Sequence, residues 1–201
     1  MHSSNENYQA KRTALALAPS TTTESIDGAT AAHQAETDSQ SVLLKWFAAL
    51  KQILPIYLSI HLAFLILTYG SALFSIANFS PKTLPISTLW LAWYRWDSGH
   101  FTAIASNGYD AAWRTAFFPL FPLLERGGAF LTHDPFIAGL IISNLAGLGM
   151  LVVLYRLVQE DFDAQRAFRT VLYFSVFPTA FFFAAAYNES LFLVLTLLSF
   201  Y

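Results

Sequence analysis

Apolar and polar positions divide the chain into blocks of very different character. Residues 1–41 are rich in Ser, Thr, Ala, Gln, Asn and Glu and poor in large apolar side chains. Such a stretch buries too little surface to offset its ordering entropy, so we expect a disordered tail on the cytoplasmic side. The run Ala14-Leu15-Ala16-Leu17-Ala18 is too short and weak for the core of a signal peptide. Lys45 to Lys51 carries Trp46, Phe47 and Leu50 between two lysines and reads as an interfacial lead-in. Residues 53–77 contain no Asp, Glu, Lys or Arg and predict a first membrane span, with His61 and Thr68 as its most polar members. A lone histidine in a span is either a functional group or a side chain turned to a neighbouring helix.

Residues 78–135 break the pattern. They hold five prolines, four of the five tryptophans and a cluster of Asp, His, Arg and Asn. This is too polar for a span and too aromatic for a solvated loop, which predicts short helices lying in the membrane interface. Residues 116–131 are apolar but broken by Pro119 and Pro122; a re-entrant segment and an additional kinked span both fit. Further spans are expected at 136–158, with Gly139, Gly147 and Gly149 for close packing, and at 168–187, with Pro178 as a kink. An apolar run, 190–201, is too short to cross; we read it as a truncated span and the chain as the N-terminal piece of a longer protein.

Composition supports a membrane class. The chain is 55% hydrophobic and only 12% charged, against roughly 25% charged in a soluble domain. The fold class expected is therefore all-α: a polytopic membrane helical bundle with an extracytoplasmic loop of interfacial helices. A net charge of −2 without a basic run excludes nucleic acid as a partner, and the lack of cysteine excludes thiol chemistry. Lys45, Lys51, Arg156, Arg166 and Arg169 flank the spans on one side, which places 78–135 and the Tyr187-Asn188-Glu189 corner outside.

Three polar clusters could carry chemistry. Arg95-Trp96-Asp97-Ser98-Gly99-His100 precedes an apolar stretch. If a helix starts there, Asp97 or Ser98 could be no more than its cap. The other reading makes Asp97 a carboxylate at the membrane surface, with His100 three residues on and on the same face. Asn107-Gly108-Tyr109-Asp110 reads as a turn bearing a second carboxylate, and Tyr187-Asn188-Glu189-Ser190 sets Glu189 between two apolar runs, where it could also cap a helix. Neither a Gly-rich phosphate loop nor a His/Glu zinc motif is present, and the sequence assigns no metal ligand set.

Taken in order, Arg95 to Phe101, Ile104-Ala105, Gly108-Tyr109, Ala116 to Leu123, Pro178 to Phe182 and Tyr187 to Phe192 resemble the PIG-V group, the second mannosyltransferases of GPI-anchor synthesis and their prokaryotic relatives. The resemblance covers 89–201. It implies a GT-C-type membrane glycosyltransferase, with a polyprenyl-phosphate sugar as donor and an extracytoplasmic glycan or glycolipid as acceptor. It also implies Asp97 as catalytic base, with Arg95, Trp96, His100, Tyr109, Asp110, Asn188 and Glu189 binding substrate. One position departs: many eukaryotic members carry an acid where Ala112 stands, and the nearest acid here is Asp110. A transporter or a non-catalytic membrane subunit is the alternative class. Transporters gather ionisable groups at span centres, whereas here these groups gather in the outer loop.

Overall fold

A computed structural model describes residues 21–73 and 87–201, with side chains from Gln40 on and without that of Thr88. The described chain divides into two units between Lys45 and Trp46. In the first, the chain is helical from Thr21 on, as the start of helix α1 (Thr21–Leu73). The tail expected to be disordered over 1–41 thus lies outside the described residues up to position 20 and is helical beyond it. Its alanines, glutamines and glutamates are good helix formers even without a core to pack against.

The second unit holds the rest. After α1 come α2 (Ser87–Leu91), α3 (Asp97–Asn107), a 3-10 turn (Ala112–Ala116), α4 (Leu120–Thr132), α5 (Pro135–Asp161), α6 (Ala164–Val176), a second 3-10 turn (Ala180–Phe183) and α7 (Glu189–Phe200). No strand occurs among the described residues. Two helical stretches, Gln40–Leu73 and Pro135–Asp161, are long and apolar enough to cross a bilayer. The expected end of the first span, 74–77, lies outside the described residues.

Local chemistry explains where helices begin and stop. Asp134 caps α5, accepting from the backbone N–H of Phe136 at 2.8 Å and Ile137 at 3.4 Å, with Pro135 in the first helical position. Asp163 caps α6 by accepting from Arg166 N–H at 2.7 Å. The run 168–187, expected as one kinked span, is not one helix: α6 ends at Val176, and Phe177 is extended at φ −61° and ψ 142°. The ring of Pro178 forbids a helical conformation to the residue before it, so the chain turns instead of kinking. In 116–131, helix α4 has 13 residues and is about 20 Å long, short of the roughly 30 Å hydrocarbon layer.

The core is a three-helix seam. Ala49, Ile53 and Ile56 of α1 meet Met150, Leu151, Val152 and Tyr155 of α5 and Ala167 and Val171 of α6. Beyond it α1 turns Leu58, Leu62, Leu65, Ile66 and Leu67 outward, as a lipid-facing helix does. The small residues of α5 are used for close approach. A methyl group on Gly147 would sit 3.3 Å from Ser190 Oγ, and one on Gly139 would overlap the carboxyl of Glu125, which is fully buried on α4. At the far end of α5, Arg156 pairs with Glu160, donates to Gln159 and Tyr201, and lies over the Trp46 ring.

Candidate active site

The turn that opens α3 is the most distorted backbone in the described chain. Trp96 stands at φ 46° and ψ −117° in the position before the helix, and its side chain makes no capping bond. Positive φ is rare for a bulky residue and costs of order 1–3 kcal/mol. The distortion turns the indole outward, 71% exposed, and starts the helix at Asp97. Ser98 is buried and donates to the carbonyl of Trp93 at 3.2 Å, which ties the turn down from inside. The capping alternative for Asp97 and Ser98 therefore does not hold: neither side chain closes the first turn of α3. Arg95 and Asp97 are exposed.

A second segment reaches this corner from 92 residues away. The Tyr187 hydroxyl donates to the Arg95 carbonyl at 3.2 Å and lies beside the backbone N–H of Asp97. Tyr187 is itself held by Ser143 on α5, whose hydroxyl donates to the Tyr187 carbonyl at 2.6 Å and accepts from the Tyr187 N–H at 3.3 Å. Two residues on, Glu189 begins α7 with one carboxyl oxygen buried and unpartnered. Burial pushes the Glu189 carboxyl above its ordinary range; a bond from its own backbone opposes this, and the charge of Asp97 adds to it. Burial likewise raises the Tyr187 phenol, with the Asp97 and Glu189 charges adding. Asp97, Tyr187 and Glu189 thus share one electrostatic neighbourhood. The carboxylate whose field Asp97 shares is Glu189.

Beside the corner opens a cleft of about 340 Å³. Trp93, Arg95, Trp96 and Tyr187 form its polar and aromatic wall, and Phe64 and Leu67 of α1 its apolar wall. Such a cleft can take a molecule with a charged or hydroxylated end and an apolar body.

The other sequence candidates lead elsewhere. The His100 ring packs on Trp113 and Phe117, at 4.9 and 5.2 Å between centroids, so its contacts run away from the cleft. Tyr109 donates to the Phe117 carbonyl at 2.8 Å, and Asp110 forms an ion pair with Arg114. These residues hold the 109–117 loop together. Asn188 occupies the position before α7 without a capping bond. Sequence reasoning passed over Ser143 and Tyr187 as site residues; Tyr187 stood in the Tyr-Asn-Glu-Ser run, but Ser143 lies inside a span and carried no signal. Among the described residues, no three His, Asp or Glu side chains gather as a metal site would need.

Comparison with known proteins identifies the family. The model of the mannosyltransferase (PIG-V) family matches residues 41–201. GPI mannosyltransferase 2 of Cryptococcus neoformans var. neoformans is 33% identical over 113 residues, covering 51% of this chain and 26% of its own. The protein of the same name from Drosophila pseudoobscura pseudoobscura is 34% identical over 112 residues, covering 48% and 24%. GPI alpha-1,6-mannosyltransferase 2 of Rattus norvegicus is 35% identical over 115 residues, covering 51% and 23%. The chain spans about a quarter of the length of the curated relatives it matches. No solved structure matches it significantly. Since the family model covers most of the chain, including both segments that build the corner, the chain belongs to the mannosyltransferase (PIG-V) family.

Proposed function

We propose that this chain carries the reactive corner of a membrane mannosyltransferase, one that moves a mannosyl group from a polyprenyl-phosphate donor to a hydroxyl of a glycan or glycolipid outside the cytoplasm. The observation that carries the reading is the meeting of Arg95-Trp96-Asp97 with Tyr187 and Glu189 beside a cleft that is polar at one wall and apolar at the other. Asp97 takes the proton of the acceptor hydroxyl. That oxygen attacks the anomeric carbon, the bond from this carbon to the phosphate oxygen breaks, and the electron pair leaves with the phosphate. Arg95, exposed at the cleft wall and without an ion pair among the described residues, is the cation that meets the growing phosphate charge. Glu189, pushed toward its neutral form by burial, leaves Asp97 as the base and binds an acceptor hydroxyl. Trp96 stacks on a sugar face.

In a eukaryote the compartment is the endoplasmic reticulum, in a prokaryote the plasma membrane, with the corner on the extracytoplasmic side. The test is transfer from a radiolabelled polyprenyl-phosphate mannose by the full-length protein in detergent. Asp97→Asn is expected to lower turnover about 10²- to 10⁴-fold. An Asp97→Asn protein as fast as the parent would remove the base assignment, and a parent that leaves the donor intact would remove the reaction.

A further inference from the structure

A polar group of the first span lies outside this reading. His61 sits on α1 in a stretch without charged residues. Its Nδ1 is 2.8 Å from the carbonyl oxygen of Tyr57, and its Nε2 is 2.7 Å from Oδ1 of Asn144 on α5. The orientation of the Asn144 amide is fixed by its other end: Nδ2 donates to the carbonyls of Leu140 at 2.7 Å and Ala184 at 3.0 Å. Carbonyls only accept, so turning the amide over would set oxygen against oxygen twice. The Tyr57 hydroxyl is already committed, donating to the Asn144 backbone carbonyl at 2.9 Å. Asn144 Oδ1 therefore only accepts, so Nε2 of His61 donates to it, and the Tyr57 hydroxyl also lies 3.4 Å from the same oxygen. Around the ring lie Ile60, Phe64, Met150, Phe183, Trp90 and Trp93, none of them charged.

The bonds that start at His61 lead to the corner. Asn144 holds Ala184, the neighbouring Ser143 holds Tyr187 by both backbone groups, and the Tyr187 hydroxyl reaches the Arg95 carbonyl. We propose that His61 is a positioning residue for the transfer reaction: by donating from Nε2 to Asn144 Oδ1 it fixes Asn144, and through it the 184–189 segment that sets Tyr187 and Glu189 against Arg95 and Asp97. This inference rests on the proposed function for its kinetic consequence and on hydrogen-bond geometry alone for the state of the ring.

Two measurements on the full-length protein test it. The first is nitrogen NMR of histidine-labelled protein at the pH of the transfer assay, with the His61 signals assigned by their loss in His61→Gln. Nε2 is expected to carry hydrogen and donate to Asn144; a ring whose Nε2 is bare overturns the inference. The second is kinetics. His61→Leu removes the ring's donor to Asn144 and is expected to lower kcat about ten- to hundredfold with little change in the KM for donor, because it misplaces reacting groups and not the bound lipid. His61→Gln keeps one donor to Asn144 Oδ1 and should regain most of that loss. Unchanged kcat in His61→Leu, or equal losses in the two variants, overturns the inference while Asp97→Asn still reports on the base. If His61→Leu does not fold, His61→Gln and the ring signals decide. If the parent shows no transfer, the proposed function fails and the ring signals still decide the state of His61.

Discussion

Two glutamates, Glu125 on α4 and Glu189 at the start of α7, are both driven toward the neutral form by burial, yet their surroundings differ. Glu125 is fully enclosed, neither of its oxygens has a partner, and it presses on the notch that Gly139 leaves in α5. Glu189 is half-buried and has company: the charge of Asp97 acts on it, and Tyr187 beside it lines an open cleft. A perturbed carboxyl is therefore not by itself a site. Each has another carboxylate in its field, Asp134 for Glu125 and Asp97 for Glu189; what separates the two is that Glu189 adjoins Tyr187 on the wall of an open cleft, whereas Glu125 is fully enclosed. The loop at 109–117 gives the opposite control, since Asp110 is already satisfied by Arg114.

The largest expected effect sharpens the contrast between Asp97 and Asp110. Turnover of the full-length protein should fall about 10²- to 10⁴-fold in Asp97→Asn and stay close to the parent in Asp110→Asn. Similar losses in both would erase the distinction between the corner and the loop. Next comes the seam of α4 and α5. Gly139→Ala puts a methyl group into the Glu125 carboxyl and should destabilise by about 1–3 kcal/mol, as overpacking of a tight core does. Thermal unfolding in detergent would show it, and Glu125→Ala in the same chain should relieve part of the loss. Without that coupling, the notch is not where Glu125 rests.

A smaller effect depends on pH. The Glu125 carboxyl is pushed up from 4.5 to about 9 by burial, with the Asp134 charge adding. Below 4.5 the group is neutral in both folded and unfolded chains. Between 4.5 and about 9 the unfolded chain ionises and the folded one does not, so stability falls as pH rises across that window, by at most about 1.4 kcal/mol per unit. Glu125→Gln should flatten the slope between about pH 5.5 and about pH 8 in thermal unfolding; an unchanged slope would assign it to other groups. The smallest effect is expected at the Asp110–Arg114 pair, exposed on its carboxylate side and largely covered on its guanidinium side, where Arg114→Gln should cost about 1 kcal/mol by the same measurement.

Much of the corner was legible because its parts are contiguous. The Arg95-Trp96-Asp97 run and the Tyr187-Asn188-Glu189 run were each visible as polar islands between apolar stretches. Their meeting was not legible in composition or spacing, because it depends on how α5 places Ser143 under Tyr187. His100 shows the limit of periodicity. A spacing of three from Asp97 predicts a shared helix face, but Trp113 and Phe117 offer the imidazole an aromatic bed, and its contacts follow them. The span expected at 168–187 failed for a local reason, the restriction Pro178 puts on Phe177. Glu125 drew no notice in the sequence because, next to Arg126, it reads as an exposed side chain until the Gly139 notch is seen opposite it.

The hydrogen bond from Tyr187 to the Arg95 carbonyl has a bearing on biosynthesis. Its two ends are 92 positions apart, so a ribosome adding about 5–20 residues per second makes the second end roughly 5 to 18 seconds after the first. Throughout that interval the nascent chain carries Asp97 without Tyr187 or Glu189. The corner is finished only once α5 and the segment after Pro178 have been delivered, which ties its assembly to the order in which the helices leave the ribosome.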